Sequence, residues 1–176
     1  MIESLGEILS SRFRIIYEGE DYFSRKYGLV NMKGEEILPC IYDCIYNFDF
    51  YNNMLTLEIG EKYGCATSEG KIVVPVEYDY IQMHKCVVAA KKDNKYGFFN
   101  LSGELIIPFE YVDYIECENI LYMDDKETYY YGVINPNIDE VTYIQESDIV
   151  MCEDGIILAK LGDKYIYYHG CEQMMI

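Results

Sequence analysis

KYGLVNMKGEEILPCIYDCI, residues Lys26 to Ile45, decides the fold, because the chain writes the same pattern three times. It returns as KYGCATSEGKIVVPVEYDYI from Lys62 to Ile81 and as KYGFFNLSGELIIPFEYVDYI from Lys95 to Ile115. The tyrosines of the Tyr-Gly pairs fall at positions 27, 63, 96 and 131, a step of about 35 residues that lies within the range of repeat architectures. The fourth copy is decaying. Tyr131-Gly132-Val133-Ile134-Asn135 keeps the first strand, but Asn137 lies near the turn position otherwise held by Gly, and the proline is gone. Lys164-Tyr165-Ile166 reads as a terminal remnant.

Each recurring position has a physical reading. Asn31 to Gly34 and Asn100 to Gly103 join two short β-rich runs, and Gly there supplies the positive φ that other side chains resist. The runs ending in Pro39, Pro75 and Pro108 are short strands; proline lacks a ladder donor, so each strand should stop there or lie at a sheet edge. Tyr42, Asp43 and Ile45 start the next strand, as do Tyr78, Asp79 and Ile81, with Tyr111, Asp113 and Ile115 taken as the third set. Met54–Glu58 and Val87–Lys91 supply the last strand before the next Tyr-Gly. The glycine after each tyrosine marks a place where another backbone comes too close for a Cβ.

This combination resembles the bacterial WG-repeat family, whose units usually carry Trp-Gly where this chain has Tyr-Gly. The resemblance runs over about residues 24 to 135 and implies a β-repeat binding scaffold. A unit of this length cannot bury its apolar face alone, so neighbours must stack around a shared core. The fold class is therefore all-β, built from four to five antiparallel β-meander units, stacked as an open twisted array or, alternatively, closed as a small five-bladed propeller. The sequence units run approximately 24–59, 60–92, 93–127 and 128–160 within a single domain of residues 1–176, with irregular caps at 1–23 and 161–176. Residues 2–11 read either as a capping helix or as a degenerate strand, since Gly6-Glu7-Ile8-Leu9 echoes Gly103-Glu104-Leu105-Ile106.

Composition narrows the function. In 176 residues, 31 acids face 14 bases, a formal charge of −17. Such a chain repels nucleic acid and anionic membrane surfaces, which are bound through clustered Lys and Arg. No apolar run reaches membrane-spanning length, and MIESLGEILSSR lacks the basic start of a signal peptide, so a cytoplasmic location is expected. Seven scattered cysteines suit reduced, packed thiols better than a disulfide framework.

Candidate chemistry is sparse. His84 and Cys86 are two apart, which in a strand places both side chains on one face and makes a nucleophile pair conceivable. Cys40 and Cys44 have no second ligand pair at matching spacing for zinc. The recurring Tyr-Asp pairs and the recurring Lys26, Lys62 and Lys95 argue for structure, because an active site is needed once and not in every unit. With no phosphate loop, nucleophile elbow or calcium loop in the sequence, the expectation is a non-catalytic protein with no cofactor and no metal.

Charge is distributed unevenly. Residues 109–154 hold thirteen acids against the single base Lys126, with seven tyrosines interleaved. Tyrosines give rigid contact area and carboxylates steer a basic partner toward it. The expected partner surface comprises Glu110, Asp113, Glu116, Glu118, Tyr122, Asp124, Asp125, Glu127, Tyr129, Tyr130, Asp139, Glu140, Glu146 and Asp148. Size and charge suit an inhibitor or immunity protein that blocks a basic toxin or enzyme. The alternative is a small-molecule or glycan module that uses the repeated tyrosines as stacking platforms.

Overall fold

The computed structural model describes residues 3–4, 12–49, 52–117, 120–135, 140–145, 148–153, 156–161, 164–169 and 172–175. Among these residues the strands form five antiparallel sheets of four, each with its strands in chain order. The first sheet holds β1 (Glu3–Ser4), β2 (Phe13–Glu18), β3 (Lys26–Asn31) and β4 (Glu36–Tyr42), and the second β5 (Cys44–Asp49), β6 (Met54–Ile59), β7 (Lys62–Thr67) and β8 (Ile72–Tyr78). The third holds β9 (Tyr80–Met83), β10 (Val87–Lys92), β11 (Lys95–Asn100) and β12 (Leu105–Tyr111). The fourth holds β13 (Asp113–Cys117), β14 (Ile120–Asp124), β15 (Tyr129–Asn135) and β16 (Glu140–Gln145), and the fifth β17 (Ile149–Glu153), β18 (Ile156–Leu161), β19 (Lys164–His169) and β20 (Glu172–Met175). Among the described residues no helix is long and apolar enough to cross a membrane.

The sheets are phased differently from the sequence units. Each sheet from the second to the fourth opens just after Tyr42, Tyr78 or Tyr111, and the strand carrying the Tyr-Gly pair is its third member. The chain turns from one sheet into the next where Tyr42, Tyr78 and Tyr111 are buried, so the corner lies there and not at the hairpin before Lys-Tyr-Gly. The terminal segments contribute strands, β1 and β2 to the first sheet and β19 and β20 to the fifth, where irregular caps were expected. Within residues 2–11, Glu3–Ser4 is a strand paired with Ile16 and Tyr17; the rest of that stretch lies outside the described residues.

The repeated residues act as anticipated at the turns and edges. Asn31 Oδ1 accepts from the backbone N–H of Lys33 and Glu35 at 2.9 and 3.0 Å, and Asn100 Oδ1 does the same for Ser102 and Glu104 at 3.1 and 2.8 Å. This Asx arrangement closes the turn while Gly34 and Gly103 adopt φ of 85° and 96°. In the second copy Thr67 substitutes, its Oγ1 accepting from Lys71 N–H at 3.2 Å. Pro39, Pro75 and Pro108 lie inside β4, β8 and β12, which are edge strands, so the missing donor interrupts no ladder.

Behind the first three Tyr-Gly pairs the third and fourth strands lose register: Tyr27 pairs with Tyr42 and Leu29 with Leu38, Tyr63 with Tyr78 and Cys65 with Val74, Tyr96 with Tyr111 and Phe98 with Ile107. Glycine permits this bulge. A Cβ on Gly28 would lie 2.7 Å from the Leu38 carbonyl oxygen, and one on Gly64 would lie 2.6 Å from that of Val74. At Gly97 the obstacle is the Phe109 ring at 2.9 Å, a side chain where a backbone was expected.

The described residues fall into two compact units, 1–81 and 82–176. In the first, Phe13, Leu29, Leu38 and Tyr42 pack with Ile45, Leu55, Leu57 and Ala66 across the first and second sheets. In the second, Cys86, Val87, Ala89, Phe98, Ile107 and Tyr111 pack with Leu121 and Met123 across the third and fourth. Facing sheets therefore share each core, as the length of one unit requires.

Candidate protein-binding face

The recurring lysine and aspartate are structural partners. Lys26 Nζ donates to Asp43 Oδ1 and Lys62 Nζ to Asp79 Oδ1, each at 2.5 Å. Asp43 Oδ2 also accepts the Gly60 N–H at 2.7 Å, tying the corner to the next hairpin. The Lys26 hydrogen bond first, and then that of Gly60, holds the Asp43 carboxyl below its ordinary range.

The third copy departs here, and the departure creates the site. Asp43 donates its N–H to Glu58 O at 2.8 Å, and the residue in the same place, donating to Asp124 O at 2.6 Å, is Val112. Asp113 therefore corresponds to Cys44, Tyr114 to Ile45 and Ile115 to Tyr46, one residue away from the equivalence read in the sequence. The slip follows from Val112, which broke the Tyr-Asp signature and drew the assignment to the next aspartate. Lys95 Nζ, lacking an aspartate at that corner, donates to the Glu110 carbonyl.

Strand alternation then sorts the side chains. On one face of the fourth sheet Leu121, Met123 and Tyr130 turn toward the third sheet. The opposite face carries Asp113 across from Asp124, Ile115 across from Tyr122, and Tyr129 across from Asp124. The Tyr122 and Tyr129 rings are stacked with centroids 5.2 Å apart and planes at 11°, and Tyr131 meets Tyr122 edge-on at 5.0 Å. Asp113, Tyr114, Ile115, Tyr122, Asp124 and Tyr129 line a cavity of about 210 Å³ open to solvent, and Ile115 is 65% exposed. Farther along the same face, Ile144 is fully buried.

Of the expected partner residues, Asp113, Tyr122, Asp124 and Tyr129 come together here. Asp125 sits in the adjoining turn, where N–H groups of Glu127 and Thr128 donate to its Oδ1 at 2.9 and 2.7 Å and depress its pKa. Glu127 is in the same turn. Glu110 is on β12 of the third sheet, and Asp148 lies between β16 and β17. Tyr130 does not belong to the patch: it packs on the core, its ring 6.2 Å from Tyr111, because it is the cross-strand neighbour of Met123. Glu118, Asp139 and Glu146 lie outside the described residues, and for Glu116 and Glu140 only the strand position is described. Sequence reading missed Ile115 as a contact residue; its alternation with Asp113 was the available signal.

The thiols and histidines offer less. His84 and Cys86 lie in the connection between β9 and β10, not on a strand, so the same-face relation does not hold. His84 Nε2 is 2.9 Å from the Tyr114 hydroxyl, its ring edge-on to that of Tyr114, and burial lowers its pKa. Cys86 is buried in the core. Cys40 and Cys44 sit on β4 and β5 as half-buried free thiols, their pKa raised first by burial. Among the described residues no group of three or more His, Cys, Asp or Glu is arranged to hold a metal.

The WG-containing repeat model matches residues 27–63, 63–96 and 96–116, three consecutive copies over half of the chain. The chain belongs to the WG-repeat family. A search of curated proteins gives no match. In this WG-repeat protein the family's tryptophan position is taken by Tyr27, Tyr63 and Tyr96, each half-buried and paired across strands with Tyr42, Tyr78 and Tyr111. Those three partners are buried to within 5–6% exposure.

Proposed function

We propose that this WG-repeat protein is a non-catalytic scaffold that binds a basic protein through the exposed end of its fourth sheet around Asp113, Ile115 and Tyr129. The most apt partner is a toxin or enzyme whose cationic active-site groove this face occludes, the role of an inhibitor or immunity protein. The observation carrying the reading is the gathering of Asp113, Asp124, Ile115, Tyr122 and Tyr129 on one open face, in a segment with thirteen acids and one base. Aromatic surface is enriched at recognition sites, and the carboxylates accelerate encounter with a cationic partner.

Isothermal titration of the full chain with candidate basic toxins at stepped salt concentrations tests this. Affinity is expected to fall as salt rises and to collapse in the double variant Asp124→Lys, Glu127→Lys. Binding indifferent to both would remove the electrostatic basis of the proposal.

A further inference from the structure

The cavity on that face has a more specific chemistry than an acidic surface. It measures about 210 Å³, below the roughly 300–1,000 Å³ of small-molecule sites, and so matches one inserted side chain. Among the described residues its lining combines two carboxylates, an exposed isoleucine, the stacked Tyr122 and Tyr129, and Tyr114, with no basic side chain. Asp113 and Asp124 face each other directly across β13 and β14, a placement that is unfavourable for like charges unless a cation intervenes. Both are held in position from the backbone: Tyr114 N–H donates to Asp113 Oδ1 at 2.9 Å, and Lys126 N–H to Asp124 Oδ1 at 2.6 Å. A carboxylate has about four acceptor positions, so each keeps capacity for further donors.

The geometry points to an arginine side chain of the partner as the occupant of this cavity, a conclusion that rests on the basic-protein reading above. Guanidinium is planar and weakly hydrated, stacks on tyrosine faces, and spreads five N–H donors that can serve two carboxylates together. Lysine offers a compact, strongly hydrated charge and no plane to stack. Ile115 supplies apolar surface for the arginine methylenes. The site thus acts as an anchor pocket, with the surrounding acids serving to steer.

The test is an NMR titration of the full chain with N-acetyl-arginine amide, N-acetyl-lysine amide and the neutral isostere N-acetyl-citrulline amide. Saturable shifts are expected at residues 113–115, 122–124 and 129, tightest for the arginine probe and absent for citrulline. The double variant Asp113→Asn, Asp124→Asn should weaken arginine binding roughly tenfold. Tyr129→Leu should weaken it while leaving the charge unchanged. Amide dispersion of each variant confirms that it is folded. Equal binding of citrulline or lysine probes, shifts scattered over the acidic surface, or an unaffected double variant would overturn the assignment. Basic-protein binding that persists while the arginine probe fails refutes the pocket alone. Probe binding without any basic-protein affinity refutes the partner reading and leaves the pocket standing.

Discussion

Replacing Gly64 by alanine tests the bulge on which every regular copy is built. A Cβ there would meet the Val74 carbonyl oxygen at 2.6 Å and the Pro75 carbonyl carbon and oxygen at 2.7 Å each. Carbon–oxygen contacts normally close to about 3.3 Å, so strand β8 must retreat by several tenths of an ångström or the Tyr63–Tyr78 and Cys65–Val74 pairings must change. Overpacking of this kind costs about 1–3 kcal/mol. Alanine also stiffens the unfolded chain, which alone would stabilise by about 0.4–1 kcal/mol. The expected net loss is about 1–2 kcal/mol, a fall in Tm of about 2–8 °C for a chain of this size. Circular dichroism melts of Gly64→Ala, Gly28→Ala and Gly97→Ala give the readout. The first two should lose most because backbone blocks them, and Gly97→Ala least, because the Phe109 ring can swing aside. A Gly64→Ala protein as stable as the parent, or a Gly97→Ala protein that melts lowest, would refute the reasoning.

Two further predictions follow from the corner and from the buried histidine. Val112→Asp restores the carboxylate that Lys95 lacks at its corner, and urea titration should register a gain of up to about 1 kcal/mol, the usual ceiling for an exposed ion pair; no gain at low salt would contradict the proposed equivalence with Asp43. Burial lowers the His84 pKa, so the unfolded chain takes up its proton first as pH falls. Stability should therefore decline as pH drops through about 6.5 toward the folded value, and His84→Gln should flatten that part of the urea-midpoint profile.

Repetition within one chain made the architecture legible. The turn asparagines, edge prolines and Tyr-Gly bulges could be read because each copy restates the same steric demand. The phase of the sheets was not legible in the same way, since a repeat has no marked beginning and only the burial of Tyr42, Tyr78 and Tyr111 places the corner between them. The site was half legible. Charge and tyrosine content located the segment, but the face on which each side chain falls depends on register, and Val112 hid that register by one residue. Tyr130 was lost to the core and Ile115 gained for the surface by that same alternation.

The three prolines on β4, β8 and β12 also bear on self-association of a chain this rich in strands. Each edge presents a row of backbone groups that another molecule's strand could extend, the route to intermolecular zippering. A missing N–H at the middle of that row breaks the ladder an incoming strand would need. Replacing Pro39, Pro75 and Pro108 with threonine would leave the fold's interior untouched and open those margins to self-association.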